Sequence, residues 1–173
     1  MLIPVAVPPH KDADGDPGAE ARVELCRLAI DGEPGMVVST IEVERAGRSY
    51  TVDTLRALHD RAPADELTFI AGADMAASFG SWREPRELLH LARLAVAGRE
   101  GVDLGAITPT LEGLHEGGRV VVFDMPPVDV SSSEVRRRIA AGLPLTGLVP
   151  AAVAARIAER GWYRPRINQE STA

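Results

Sequence analysis

Cysteine is almost absent from this sequence. The single thiol, Cys26, cannot form an internal disulfide, which removes the bridge-stapled secreted scaffolds and fits an intracellular, cytoplasmic setting best. Its neighbours in ARVELCRLAI have helical spacing, so a buried or half-buried thiol is expected. Aromatic residues make up only 4% of the chain, too few for a base-stacking platform on long single strands. No apolar run approaches the ~20 residues needed to span a bilayer, and MLIPVAVPPHK lacks the charged head and long apolar middle of a signal peptide. A soluble protein without a membrane partner is expected. The net charge of -6 argues against a broad nucleic-acid surface but leaves room for a local basic pocket. His10, His59, His90 and His115 are scattered without metal-ligand spacing, and no GxxxxGK[ST], GxSxG or GxGxxG occurs.

What is present suits one globular domain over residues 1–173, since 45% of the residues are hydrophobic and 25% charged, with a mobile tail from 165 to 173. MLIPVAV reads as a short buried strand, followed by the polar loop PPHKDADGDPG. A helix over AEARVELCRLAI precedes an extended MVVSTIEVER, in which Val38, Ile41 and Val43 are branched. TVDTLRALHDRA is helical, with Val52, Leu55 and Leu58 on one side. LTFIAGAD is a buried strand running into a small-residue turn, and EPRELLHLA is a helix opened by Pro85. RLAVAGR and RVVVFDMPP are strands, and GLVPAAVAARIAERGWYR closes with a helix between Pro150 and Gly161. This alternation predicts an α/β fold: a mostly parallel sheet with helices on both faces, and ligands outside the carboxyl ends of its strands.

Three loops follow strand ends and could converge there: PPHK, GAD and SSSEVR. In VSSSEVRRRI, Ser131 and Glu134 have capping-box spacing. The hydroxyls and guanidiniums there are either a capped, solvated helix start or an anion site, and spacing alone leaves both open. Glu134 would repel an anion placed too close. His10 and Lys11 suit phosphate or a charged loop tip. Ser49, Tyr50 and Thr51 suit a ligand or a helix cap, and Trp82 suits ring stacking or packing.

Taken in order, PPHK, RSYTVDTL, FIAGADM with a downstream SW, LAVAGR, VDVSSSEVRRRIAAG and LVPAAVAARIAERGWYR resemble bacterial nicotinate-nucleotide adenylyltransferase over nearly the whole chain. The resemblance implies a Rossmann-like nucleotidyltransferase fold. It also implies adenylyl transfer from ATP to nicotinate mononucleotide, giving deamido-NAD and pyrophosphate in NAD biosynthesis. By resemblance, Ser131, Ser132 and Arg136 hold ATP phosphates, while Gly72 and Asp74 line the nucleotide site. His10, Lys11, Tyr50, Thr51 and Arg99 bind the mononucleotide, and Trp82 stacks on its ring. Mg²⁺ rides on the ATP phosphates rather than in a protein cage. The alternatives are a nucleotide-binding paralogue without catalysis and a relative such as pantetheine-phosphate adenylyltransferase.

The family's usual opening, a strand followed by GGTFDPxHxGH, is missing from these 173 residues, so no catalytic residue is assigned. Each transition-state donor removed commonly costs ~100- to 1000-fold, so weak or no turnover and reduced stability are expected of the sequence as given. A start codon assigned too far downstream is favoured over truncation or decay, because SSSEVR, SYTVDTL and Trp82 are intact.

Overall fold

The computed structural model describes residues 1–7, 16–45, 47–98, 119–126 and 128–164, and the chain divides into two compact units. The expectations for His10, Lys11 and Arg99, and for the 165–173 tail, lie outside the described residues. Among the described residues no helix is long and apolar enough to cross a membrane.

The unit spanning Tyr50–Val128 is built on three parallel strands, β1 (Leu67–Gly72), β2 (Ala92–Gly98) and β3 (Val120–Asp124), paired in that order. Parallel strands need long crossovers, and the helices supply the first of them. The register Phe69↔Leu94↔Val120 puts the strands' alternate residues on one face. That face is buried with Val52 and Leu55 of helix α3 (Thr51–Arg61), Phe79, and Leu88 and Leu89 of helix α5 (Pro85–Leu91). On the opposite face Ile70, Val121 and Phe123 are exposed. The turn expected after FIAG is instead a helix, α4 (Ala73–Ala77), followed by a 3-10 turn, Phe79–Ser81. Small Ala73, Ala76 and Ala77 favour the helical state, and Ala73 and Ala76 are buried.

The other unit joins Met1–Ser49 to Asp129–Ala173. Helix α1 (Ala19–Ala29) packs against helix α7 (Ala151–Arg160), and Glu24 pairs with Arg156. Leu145, Val153 and Ile157 form its core, with Leu25, Leu28, Val135 and Ile139 around them. Gly161 ends α7 in the left-handed region at φ 63°, where a side chain would be strained, and the Trp162 N–H returns to the Ile157 carbonyl.

Two expectations fail in this unit. MLIPVAV is not a buried strand; it makes only two isolated bridges, Leu2 to Val38 and Val7 to Arg48, and Met1 and Val7 are exposed. Pro4 has no N–H to continue a ladder, and Arg22 takes up the Val5 and Ala6 carbonyls instead, at 2.9–3.2 Å. MVVSTIEVER is not extended throughout, because Ile41–Arg45 forms a short helix, α2. Ser39 Oγ accepts from the Ile41 N–H at 3.4 Å and Thr40 Oγ1 donates to Glu44 Oε1 at 2.5 Å. That local capping pattern overrode the branched residues' preference for strand.

Candidate active site

Helix α6 (Ser132–Ala140) begins as its spacing predicts. Ser131 is extended at φ -128°, ψ 149°, and its Oγ accepts from the Glu134 N–H at 3.1 Å. The reciprocal half of the capping box does not form, because the Glu134 carboxylate turns to two arginines. Arg137 donates through Nε and Nη2 at 2.7 Å each, and Arg138 through Nε at 2.8 Å. These hydrogen bonds, from Arg137 first and then Arg138, lower the Glu134 carboxyl from its ordinary 4.5 to about 2. The carboxylate therefore stays ionised, and the two guanidiniums compensate the negative charge that would repel an anion.

The third arginine behaves differently. Arg136 is half-buried, lies 5.5 Å over the Tyr163 ring, and has no ion-pair partner among the described residues. Ser131 and Ser132 beside it are exposed. A helix N-terminus with two accessible hydroxyls and a guanidinium that has no ion-pair partner among the described residues can receive a phosphate. This division of labour had a signal in the sequence that spacing analysis did not use. Positions 137 and 138 are three and four residues beyond Glu134, the helix-neighbour distances, and position 136 is not.

In the other unit, Tyr50 caps α3 in an extended conformation and Thr51 is its first residue. Gly72 ends β1 and caps α4; a Cβ there would meet nothing within 4 Å, so its backbone faces open space. Asp74 is exposed in the first turn of α4. This places Gly72 and Asp74 at the carboxyl end of a parallel strand, where open α/β sheets bind ligands. Trp82 is half-buried. Its ring packs at 5.7 Å from Phe69 and 5.3 Å from Phe79, and Nε1 donates to Ser78 Oγ at 3.1 Å. Tyr50 and Trp82 thus border one core cluster.

Sequence reasoning missed two arginines of this unit. Arg83 lies 4.7 Å over Tyr50, and Arg56 is forked onto Glu84 at 2.5 and 3.3 Å. No short-range spacing could have paired Arg56 with a residue 28 positions away.

Residues 1–138 match the Cytidylyltransferase-like family. A Bordetella avium (strain 197N) protein named "Probable nicotinate-nucleotide adenylyltransferase" is 41% identical over 166 residues, covering 95% of this chain and 82% of its own length. A Roseiflexus sp. (strain RS-1) protein of the same name is 38% identical over 166 residues, with the same coverage. Among solved structures, a Plasmodium falciparum nicotinic acid mononucleotide adenylyltransferase complexed with APC superposes with a TM-score of 0.65. Its identity is 15%, over 85% of this chain and 76% of that one. The same Plasmodium protein complexed with NaAD gives a TM-score of 0.64 at 16% identity, over 83% and 73% of the two chains. At that identity the likeness shows the fold alone, a Rossmann-like parallel sheet with helices.

Proposed function

Because this chain belongs to the cytidylyltransferase-like family and, within it, to the nicotinate-nucleotide adenylyltransferases, we propose that it joins nicotinate mononucleotide to the AMP part of ATP. A phosphate oxygen of the mononucleotide forms a bond to the α-phosphorus of ATP, the bond from that phosphorus to the β-phosphate oxygen breaks, and pyrophosphate leaves. The products are deamido-NAD and pyrophosphate, and the reaction belongs to NAD biosynthesis in the cytoplasm. The single domain expected from the sequence would carry both substrates; the family match runs through both compact units.

The observation that carries this reading is Arg136, which has no ion-pair partner among the described residues, on the same helix start as the exposed Ser131 and Ser132. Such donors suit the ATP phosphates; in the other unit, Gly72 and Asp74 at the carboxyl end of β1 suit contact with a nucleotide. Tyr50 and Thr51, with His10, Lys11 and Arg99, would take the mononucleotide, and the half-buried Trp82 would offer its remaining ring surface to the nicotinate. These residues act by positioning and by holding charge where it develops, the main routes to rate enhancement in phosphoryl-type transfers. Mg²⁺ would arrive on the triphosphate. Its ligands would then be phosphate oxygens and water molecules.

A substrate panel tests the reading. With the chain in excess over substrate, ATP and Mg²⁺ should release pyrophosphate with nicotinate mononucleotide, and much less with 4′-phosphopantetheine. Preference for the pantetheine acceptor would reassign the substrate. Binding of ATP and mononucleotide with no pyrophosphate released would reduce the protein to a nucleotide binder.

A further inference from the structure

Glu84 is one of two non-glycine residues with positive φ among the described residues, at φ 52°, ψ 56°. It stands between Trp82–Arg83 and the Pro85 that opens α5. A residue before proline is pushed out of the right-handed helical region, so Glu84 cannot simply extend the helix backwards. Left-handed backbone is unfavourable for a residue with a Cβ and persists where surrounding structure fixes it.

The Glu84 side chain joins an ion network reaching across from α3. Arg56 holds the carboxylate bidentately, at 2.5 Å through Nη2 and 3.3 Å through Nη1. Arg56 is itself oriented by Asp53 and Glu87, each at 3.6 Å. Arg83 lies 3.6 Å from both Asp53 and Glu84 and covers the Tyr50 ring. The carboxylate of Glu84 is held below its usual range, first by the Arg56 hydrogen bond. Isolated exposed pairs contribute little to stability, whereas a forked pair inside a network fixes geometry.

The network ties two pieces of chain that are distant in sequence: the start of α3, with Tyr50 and Thr51, and the turn carrying Trp82. We propose that the Arg56–Glu84 clamp, with Arg83, is a positioning device that sets the Trp82 turn against the start of α3 and thereby the affinity for nicotinate mononucleotide. The inference rests on the reading of Tyr50, Thr51 and Trp82 as the mononucleotide subsite. Arg56 and Glu84 are positioning residues, acting through the side chains they hold.

The test is calorimetric titration of nicotinate mononucleotide and, separately, ATP into wild type, Arg56→Ala, Glu84→Ala and the double variant. Thermal melts are run on each. Either single substitution should weaken mononucleotide binding about tenfold, and the double no more than Arg56→Ala alone, because Arg56→Ala already removes the Glu84 pair. The Kd for ATP should stay within about twofold of wild type, a split that a merely structural role would not produce. Equal mononucleotide affinity in wild type and variants overturns the inference alone. So do additive losses, or ATP and mononucleotide affinities falling together with the melting temperature. If wild type binds no mononucleotide, the subsite reading fails and this inference with it.

Discussion

Replacing Ser131 separates the two roles that its position combines. Its hydroxyl accepts one N–H at the start of α6, from Glu134, and Glu134 itself gives nothing back because its carboxylate is held by Arg137 and Arg138. Ser131→Ala therefore removes the side-chain cap, worth about 1 kcal/mol. For a chain of this length that lowers the melting temperature by about 2–4 °C. Ser131→Asp keeps the cap, since an N-cap aspartate is as good an acceptor as serine, so its melt should stay close to wild type. Yet it places a fixed negative charge where the ATP phosphates are proposed to sit. Two like charges about 4 Å apart repel by about 1 kcal/mol in bulk water and about 4 kcal/mol at an effective dielectric of 20. An exposed helix start lies between these limits, so ATP affinity should fall by about tenfold or more, equivalent to about 1.4 kcal/mol. Thermal melts and ATP titration by calorimetry read the two effects separately. If Ser131→Asp binds ATP as wild type does, the serines are a cap and nothing more.

Other outcomes follow from the same geometry. Leu94 is 1% exposed at the centre of the parallel sheet, so Leu94→Ala should cost about 2–5 kcal/mol in denaturant unfolding, and a loss under 1 kcal/mol would show the cluster is not the core. The Glu134 carboxyl, lowered to about 2 by Arg137 and Arg138, is below its unfolded value. Its contribution to stability is thus complete above about pH 4.5 and lost as pH falls toward 2. A carboxyl-carbon titration by NMR should give a midpoint far below 4.5, rising in high salt as the exposed pairs are screened; a midpoint near 4.5 would dissolve the pairing. Cys26, whose thiol is pushed up by burial, should react with a disulfide reagent more slowly at pH 8 in the folded protein than in urea; equal rates would place it in open solvent.

The parts of the fold that could be read from sequence are those whose signals are local. α3 and α7 announce themselves by apolar spacing, α5 by Pro85, α6 by Ser131 and Glu134, and the parallel strands by short apolar runs. In MLIPVAV an apolar run suggests a strand that the internal Pro4 does not allow to continue, and in MVVSTIEVER branched residues suggest extension where Ser39 and Thr40 start a short helix. At the candidate site, the helix start was legible but the fate of its three arginines was not drawn from the spacing, although 137 and 138 lie one turn from Glu134. The Arg56–Glu84 clamp joins α3 to a turn far along the chain, so only folding brings it together. Nor does composition disclose that Trp82 spends part of its ring on Phe69 and Phe79.

The most direct measurement follows the α-phosphorus of ATP. The chain, in excess, is mixed with ATP labelled at that atom, Mg²⁺ and nicotinate mononucleotide, and the products are separated over hours, so that even a slow transfer registers. The expected result is label in deamido-NAD and unlabelled pyrophosphate, both abolished or strongly slowed by Arg136→Ala. Label that stays in ATP, or that moves only into AMP by hydrolysis, would contradict adenylyl transfer to the mononucleotide by this chain.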